Sequence, residues 1–158
     1  MTTIRKSIEF DYGHRIADHE SQCRNVHGHR GKLEVELSGE LSREGAARGM
    51  VIDFGLVKKA LVEITNHMDH AFVVSVDDPI LELISRSGEP TTKKASRFGS
   101  ESVVSNFGRI VAIPYPPTAE NLAFICYTLL RSDLGPQVKR VTFWETPTSC
   151  AIYPGISA

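Results

Sequence analysis

Residues 29–41, HRGKLEVELSGEL, carry the clearest strand pattern in the chain. Leu33, Val35 and Leu37 alternate with charged and polar residues, which is the period-two pattern of a strand with one buried face. Residues 4–14, IRKSIEFDYGH, are also typical of a strand. A polar segment joins the two stretches and is predicted to be a loop, so a hairpin-like return would place the strands side by side.

The rest of the chain alternates predicted helices with short predicted strands. Asp53 is a candidate N-cap for one helix, and Thr118 is a candidate N-cap for another that ends at Gly135-Pro136. Segment 87–108, rich in Ser, Gly, Lys and Thr, is predicted to be an exposed loop insertion. The other predicted elements are a helix over 79–86 and strands over 109–113, 138–146 and 149–154. This order favours one α+β domain, residues 1–158, with an antiparallel sheet covered on one face by helices.

The composition is that of an ordinary globular protein, with 158 residues and 41% hydrophobic and 23% charged residues. A formal charge of −1 gives no reason to expect a nucleic-acid or membrane surface. We find no apolar run long enough for a membrane span and no signal-peptide core. The three cysteines, Cys23, Cys126 and Cys150, are too few for a disulfide framework, which predicts a reducing, cytoplasmic location.

A histidine cluster is the most informative chemical feature. His27 and His29 are two residues apart, so in an extended segment both imidazoles point to the same face. A hairpin-like return would bring His14 opposite them. Three neutral imidazoles suit zinc, and three protein ligands leave a fourth position open for water or substrate, as catalytic sites do. The pattern therefore predicts a catalytic Zn²⁺ site.

Two alternatives stay open on spacing alone. Histidine pairs two residues apart also occur by chance, although four of the six histidines, His14, His19, His27 and His29, fall within sixteen residues. Cys23 lies inside the same cluster, where it is either an ordinary loop thiol or a fourth ligand that would make the site structural. His19, in an acidic loop, is expected to be exposed.

Two further places carry candidate acid–base groups. Asp69 next to His70 could orient the imidazole for proton transfer, but position alone favours a cation at a helix C-terminus. Glu145 shares the predicted buried face of its strand, where a carboxylate needs a basic partner or the N–H donors of a bound heterocycle. The alternative is that the strand twists or ends there and leaves Glu145 in water. Glu120 is most simply a favourable charge in a helix's first turn.

Six stretches, taken together, resemble the 6-pyruvoyltetrahydropterin synthase/6-carboxytetrahydropterin synthase family. In order they are FDYGHRI, CRNVHGH, GMVIDFGLVKK, MDHAF, PTAENLA and FWETPTSCAIY. The resemblance implies the tunnelling fold, a four-stranded antiparallel sheet with helices packed on one face. It also implies homo-oligomers, trimers that stack into hexamers, with active sites at subunit interfaces.

The resemblance also implies roles for individual residues. His14, His27 and His29 match the zinc ligands, Cys23 the catalytic cysteine, and Asp69 with His70 the catalytic Asp–His pair. Glu145 matches the glutamate that anchors the pterin ring, and Thr118 and Glu120 match a segment that helps to line the pterin pocket. Two departures from the family pattern are Arg30-Gly31, where Asn-Tyr is common, and the long 87–108 segment.

The spacing of three residues between Cys23 and His27 resembles the 6-carboxytetrahydropterin synthases of the queuosine pathway. The implied reaction converts 7,8-dihydroneopterin triphosphate to 6-carboxy-5,6,7,8-tetrahydropterin, with release of acetaldehyde and triphosphate. Basic residues such as Arg15, Arg24 and Lys32 are candidates to hold the triphosphate. The alternatives are a 6-pyruvoyltetrahydropterin synthase, which only eliminates triphosphate, and a non-catalytic zinc-stabilised pterin-binding module.

Overall fold

The two N-terminal strands, β1 (Thr2–His14) and β2 (His27–Gly39), form a long antiparallel pair. Their register runs without interruption from Thr2 opposite Gly39 to His14 opposite His27. The alternating apolar residues of β2, Leu33 among them, are fully buried. Both strand predictions are therefore confirmed: β1 starts two residues before the predicted strand and ends where predicted, and β2 starts and ends two residues earlier.

A computed structural model describes residues 1–87, 92–99, 101–105 and 108–155. The helices after β2 are α1 (Phe54–Met68), α2 (Pro79–Arg86) and α3 (Ala119–Leu134). The strands after β2 are β3 (Phe72–Ser75), β4 (Thr92–Ala95), β5 (Glu101–Ser105), β6 (Gly108–Ile113), β7 (Val138–Thr146) and β8 (Ser149–Tyr153). Within the described ranges, no helix is long and apolar enough to cross a membrane.

All eight strands belong to one sheet in the order β4-β5-β6-β3-β1-β2-β7-β8. Strands β1, β2, β7 and β8 are paired antiparallel, but β3 pairs in parallel with both β1 and β6. The expectation of a four-stranded antiparallel sheet is therefore wrong in strand number and in direction. The reason is the short strand β3, four residues that carry no alternating pattern because both of their faces are covered.

The helices lie on both faces of the sheet. Helices α1 and α3 share the main core with Val73 of β3, whereas α2 packs its Ile80 and Ile84 against a second cluster that contains Val74. Because adjacent side chains of a strand point to opposite faces, α2 lies on the face away from α1 and α3. The prediction that all helices cover one face is therefore wrong for α2.

Segment 87–108 is not the loop that its composition predicts. Its described part forms the antiparallel strands β4 and β5, and β5 continues the sheet through β6. Phe98 between them is buried, and Arg97 is bonded to Asp133 of α3 at 2.7 Å and to Glu63 of α1 at 3.3 Å. The insertion therefore packs on the helical layer. Residues 88–91, 100 and 106–107 of this segment lie outside the described residues.

The predicted helix caps are confirmed. The side chain of Asp53 accepts a hydrogen bond from the Gly55 N–H, and Thr118 Oγ1 accepts one from the Asn121 N–H at 3.3 Å. Gly135, with φ of 77° and ψ of −162°, ends α3 in a positive-φ conformation that glycine adopts without strain. These caps fix the start of α3 beside the end of β1, which determines the surroundings of His14.

Candidate active site

The end of the β1–β2 pair brings His14, His27 and His29 together. His14 is directly opposite His27 in the register, and His29 follows two residues later on the same face. One ligand nitrogen from each ring lies within 4.8 Å of those of the other two, and within the described ranges this is the group of side chains that could hold a metal ion. The hairpin expected from the sequence therefore produces the expected convergence.

The hydrogen bonds of the Nδ1 atoms show which nitrogen of each ring carries the proton and which has a free lone pair. His14 Nδ1 lies 2.8 Å from the carbonyl oxygen of Pro117, and His27 Nδ1 lies 2.8 Å from that of Asn25. A carbonyl can only accept, so each Nδ1 carries the proton and each neutral ring has its lone pair on Nε2. The two Nε2 atoms are only 3.0 Å apart. Two lone pairs at this distance repel unless a cation lies between them, so the donors fit a metal ion.

Burial favours the neutral form of His14 and of His29. His14 is 1% exposed, and this burial lowers its pKa more strongly than the Pro117 carbonyl raises it. Burial likewise lowers the pKa of His29, against the opposing charge of Glu145. The Nε2 atom of His29 is buried and has no hydrogen-bond partner. An unpaired buried nitrogen is unfavourable, and coordination to a metal ion would satisfy it.

Glu145 lies next to the histidines. Its carboxylate is 3.4 Å from His14 Nε2 and 3.9 Å from His29 Nε2. The register of β7 with β8 shifts between Trp144 and Thr146, and this irregularity turns the half-buried Glu145 toward the cluster. The strand therefore neither ends before Glu145 nor leaves it fully in water. A carboxylate beside unprotonated nitrogens again fits a cation or a ligand with N–H donors.

Tyr12 is a neighbour of the cluster that the sequence patterns do not indicate. Its ring centre lies 5.3 Å from that of His14 and 5.9 Å from that of His29, and its buried hydroxyl has no partner. Burial and the charge of Glu145 raise the pKa of Tyr12, so the phenol stays neutral. Gly31 makes room for this ring, because a Cβ there would lie 2.9 Å from Tyr12 Cε1. The unusual glycine of Arg30-Gly31 thus has a packing reason.

Cys23 and His19 lie outside the histidine group. Cys23 is half-buried in a single turn of 3-10 helix, Gln22–Arg24, and its backbone carbonyl accepts from the Ile16 N–H at 2.9 Å. His19 is exposed, as predicted, and its Nδ1 accepts from the backbone N–H of Ser21 at 3.0 Å. In the part of the chain that the structure describes, neither side chain approaches the three histidines as a fourth ligand.

Asp69 and His70 form a direct pair just after α1. His70 Nδ1 lies 3.0 Å from Asp69 Oδ1, and the same oxygen accepts from the Asp11 N–H at 3.0 Å. Partial burial raises the pKa of Asp69, but the hydrogen bonds from Asp11 and His70 lower it below its ordinary value. The carboxylate is thus charged and can hold the His70 ring by its Nδ1–H. The alternative that His70 is only a cation at the C-terminus of a helix does not account for this contact with Asp69.

Two adjacent clefts surround these groups. The larger one, of about 860 Å³, is lined by His27, His29 and His70 together with apolar side chains of α2. The smaller one, of about 450 Å³, is lined by His29, Glu145 and Lys32 among others. Among the described residues that line these clefts, Cys23, Thr118 and Glu120 are absent. In a single chain, His70 and Glu145 therefore line the same clefts as His27 and His29, whereas Cys23 lines neither cleft.

The segment around Thr118 acts on the site through its backbone. Thr118 caps α3, Glu120 is exposed in the first turn of that helix, and the preceding Pro117 carbonyl holds His14. The carbonyls of Pro117 and Asn25 are functional groups that sequence reasoning missed, because any residue type supplies a carbonyl oxygen. A proline just before a helix cap was the one available signal.

Two of the basic candidates for triphosphate binding are already engaged. Arg15 forms a two-pronged ion pair with Asp78, whose side chain is 1% exposed. Lys32 lies over the ring of Trp144, 4.4 Å from its centre. Arg30, which lines both clefts, pairs with the exposed Asp11 at 3.0 Å. Exposed pairs are weak, so Arg30 can exchange its partner for a ligand beside the site.

The chain resembles known proteins along nearly its whole length. Residues 3–155 match the family model for 6-pyruvoyl tetrahydropterin synthase. A 6-carboxy-5,6,7,8-tetrahydropterin synthase from Haemophilus influenzae is 32% identical over 154 residues, which cover 97% of this chain and 99% of that protein. One of the same name from Aquifex aeolicus is 30% identical, over 95% of this chain and 96% of that protein.

Solved structures agree on the fold. An uncharacterized protein from Wolinella succinogenes superposes with a TM-score of 0.78 at 29% identity, over 98% of both chains. A 6-pyruvoyl tetrahydropterin synthase from Caenorhabditis elegans gives a TM-score of 0.65 at 20% identity, over 98% of this chain and 96% of that one. With the match of the family model across residues 3–155, the conclusion is that this chain belongs to the 6-pyruvoyl tetrahydropterin synthase family.

Proposed function

We propose that the protein is a zinc-dependent carbon–carbon lyase, a 6-carboxy-5,6,7,8-tetrahydropterin synthase. Its substrate would be 7,8-dihydroneopterin triphosphate, and its products the carboxylated pterin, acetaldehyde and triphosphate. The relatives from Haemophilus influenzae and Aquifex aeolicus bear this enzyme's name. The observation that carries the proposal is the convergence of His14, His27 and His29 beside Glu145, with the Nε2 atoms of His14 and His27 3.0 Å apart.

The three histidines would hold the metal and leave a coordination position for substrate. Three imidazole nitrogens suit Zn²⁺, and a three-ligand protein site is the catalytic type. When bound, the ion would supply Lewis-acid chemistry at the hydroxyl groups of the substrate side chain. The Pro117 and Asn25 carbonyls would hold the rings of His14 and His27 in the tautomer that presents Nε2.

Glu145 would orient the pterin. Its carboxylate is partly buried beside His14 and His29, where it can accept hydrogen bonds from the N–H groups of the pyrimidine edge. Such a contact would place the side chain of the substrate against the histidine cluster, and fixed orientation is a large part of catalysis. Arg30, between the two clefts, is our candidate for a triphosphate contact.

Cys23 and His70 would move the protons. Cys23, as thiolate, would remove a proton from the substrate side chain, and His70, held by Asp69, would exchange a proton at another position. Cys23 forms no hydrogen bond with Asp69 or His70 in the described part of one chain. We therefore propose a homo-oligomer, a trimer or a dimer of trimers, in which a second copy completes each site. Light scattering would measure this state directly.

One assay tests the reaction. Zinc-loaded protein is incubated with dihydroneopterin triphosphate, and the pterin and any aldehyde are identified by mass spectrometry. Acetaldehyde with a carboxylated pterin supports the proposal. A pyruvoyl pterin without acetaldehyde would instead indicate a 6-pyruvoyltetrahydropterin synthase. Tight binding without any product, together with unfolding after chelation, would indicate a zinc-stabilised binding module.

A further inference from the structure

The peptide unit that joins Asp69 to His70 is held at both of its polar atoms. Its N–H, from His70, donates to the carbonyl oxygen of Asp11 at 2.6 Å. Its carbonyl oxygen, from Asp69, accepts a hydrogen bond from Nη2 of Arg109. Asp11 belongs to β1 and Arg109 to β6, so two separate strands fix the plane of one peptide.

This peptide plane determines the backbone conformation of His70. The φ angle of His70 is 53°, and among the described residues His70 is the non-glycine residue with a positive φ. The left-handed conformation is unfavourable for a residue with a Cβ and persists where the surroundings hold it. A rotation of the Asp69–His70 peptide would change this φ and would move the imidazole away from the Asp69 carboxylate, 3.0 Å distant.

Arg109 has no comparable second role in its surroundings. Within the described ranges it forms no ion pair, and its buried Nε has no hydrogen-bond partner. The side chain lies in a small cleft with His67, Lys94 and Ser102, beside the last turn of α1. A cation at the C-terminal end of a helix is favourable because the free carbonyls there are partly negative. The hydrogen bond to Asp69 is therefore the specific contact of this guanidinium.

The paired strands β4 and β5 support Arg109 from the other side. Arg109 is opposite Val104 in the β5–β6 register, and β5 is paired in turn with β4. Arg97, between these two strands, ties them to α1 and α3 through Glu63 and Asp133. The insertion thus gives β6 a fixed position relative to the end of α1.

We infer that Arg109 is a positioning residue, which holds the Asp69–His70 peptide in the orientation that aims the His70 imidazole. The inference rests on the proposed function in one respect, that His70 exchanges a proton with the substrate. Arg109 itself lines neither of the two clefts of the site and acts through His70.

The test compares zinc-loaded wild type with Arg109→Gln, Arg109→Lys and the control Lys94→Gln. The control removes a positive charge from the same cleft without removing a bond to Asp69. Two properties are measured: kcat and KM with dihydroneopterin triphosphate, and the ¹⁵N NMR signals of the His70 ring, assigned by their loss in His70→Asn. In wild type these signals should report a proton on Nδ1, the nitrogen next to Asp69.

For Arg109→Gln we expect kcat to fall by about 10- to 100-fold, with KM within about twofold, as for a displaced catalytic group. The His70 signals should move toward a mixture of tautomers. Arg109→Lys should recover part of both properties, because its ammonium can still donate to the Asp69 carbonyl. Lys94→Gln should match wild type in both.

Other outcomes overturn the inference. A folded, zinc-loaded Arg109→Gln with wild-type His70 signals would show that the arginine does not hold the peptide, whatever its kcat. If Arg109→Gln does not fold, Arg109→Lys decides, and His70 signals unchanged from wild type together with lowered thermal stability would indicate a structural role alone. If wild type turns over no substrate while the His70 signals respond to Arg109→Gln, the positioning inference stands and the proposed function fails.

Discussion

The Nε2 atoms of His14 and His27 face each other at 3.0 Å, and each ring donates its Nδ1–H to a backbone carbonyl. Two nitrogens bound to one tetrahedral zinc ion at about 2.05 Å would lie about 3.3 Å apart. The two rings are therefore within a few tenths of an ångström of ligand geometry. Since neither Nε2 can donate to the other while both rings are neutral, a cation is the simplest partner for the pair.

Replacement of a histidine in the cluster should remove the metal. We expect His27→Ala to bind less than a tenth of the zinc of wild type, because a two-ligand site is much weaker than a three-ligand site. His19→Ala is the matched control, since His19 is a nearby exposed histidine outside the cluster. Zinc content after gel filtration, measured by plasma emission, checks both variants. Full zinc occupancy in His27→Ala would overturn the ligand assignment.

Cys23→Ala should keep zinc and lose turnover. Cys23 lies outside the histidine group, so its removal leaves the three imidazole ligands in place. We expect kcat to fall by at least about 100-fold, the usual range for loss of a general base. Cys150→Ala, at an exposed cysteine on β8, is the control and should keep its activity. Loss of zinc from Cys23→Ala would mean that the thiol closes a structural site.

The metal-free protein should become less stable as the pH falls through the ordinary histidine range. Burial lowers the pKa of His14 and of His29 below their ordinary value of 6.5. In this pH range the unfolded chain therefore binds more protons than the folded chain. Because of this difference, the free energy of unfolding decreases as the pH falls from about 7 toward 5. Urea unfolding at several pH values measures this.

A His14→Asn/His29→Asn double variant serves as the reference for that experiment, and its pH dependence should be flatter. An equal slope in wild type and in the variant would show that other groups cause the effect.

Removal of one partner from the ion pair of Arg15 with Asp78 should lower the stability of the fold. Asp78→Asn leaves the guanidinium of Arg15, which is 23% exposed, without its charged partner. We expect a loss of about 3 kcal/mol in the free energy of unfolding, as for a broken buried pair. Glu82→Gln, which breaks a pair with Arg86 in which both side chains are exposed, should lose less than about 1 kcal/mol. Equal losses in the two variants would contradict the role of burial.

The contact of Gly31 with Tyr12 should appear as an energetic coupling. In Gly31→Ala the new Cβ would lie 2.9 Å from Tyr12 Cε1, so we expect a loss of about 1–3 kcal/mol from overpacking. In a Tyr12→Ala background the same change should cost less, since only the contact with Phe10 Cζ, at 3.2 Å, remains. A double-mutant cycle by urea unfolding measures the difference. Strict additivity of the two changes would show that the ring moves aside freely.

The sequence predicted the strands that have a clear alternation of apolar and polar residues and the helices that have a clear N-cap. The alternation around Leu33 fixed the buried face of β2, and Asp53 and Thr118 marked the starts of α1 and α3. The strand β3 was not predicted, because its four residues are covered on both faces and show no period. The location of α2 on the second face follows from β3 and was missed for the same reason.

In the candidate site, too, some groups could be recognised from the sequence and others could not. Side chains with distinctive chemistry could be singled out from residue type and spacing, as for His27, but the roles expected of Glu145 and of the Asp69–His70 pair came from the family resemblance. Groups that act through the backbone, such as the Pro117 carbonyl, carry no signature in residue type. Arg109 was missed because its contact with Asp69 joins positions forty residues apart across an insertion, and only the sheet order brings them together.

Because the register of β1 with β2 is uninterrupted, metal binding by the three histidines would depend on correct folding of this strand pair. A slip of the two strands by one residue would turn His27 and His29 to the face opposite His14, because side chains alternate along a strand. A misregistered hairpin thus could not assemble three ligands and would gain nothing from a metal ion. Metal ions present during synthesis would therefore stabilise only chains in which β1 and β2 are paired in the correct register. The ion would thus favour the correct strand alignment before it took part in any reaction.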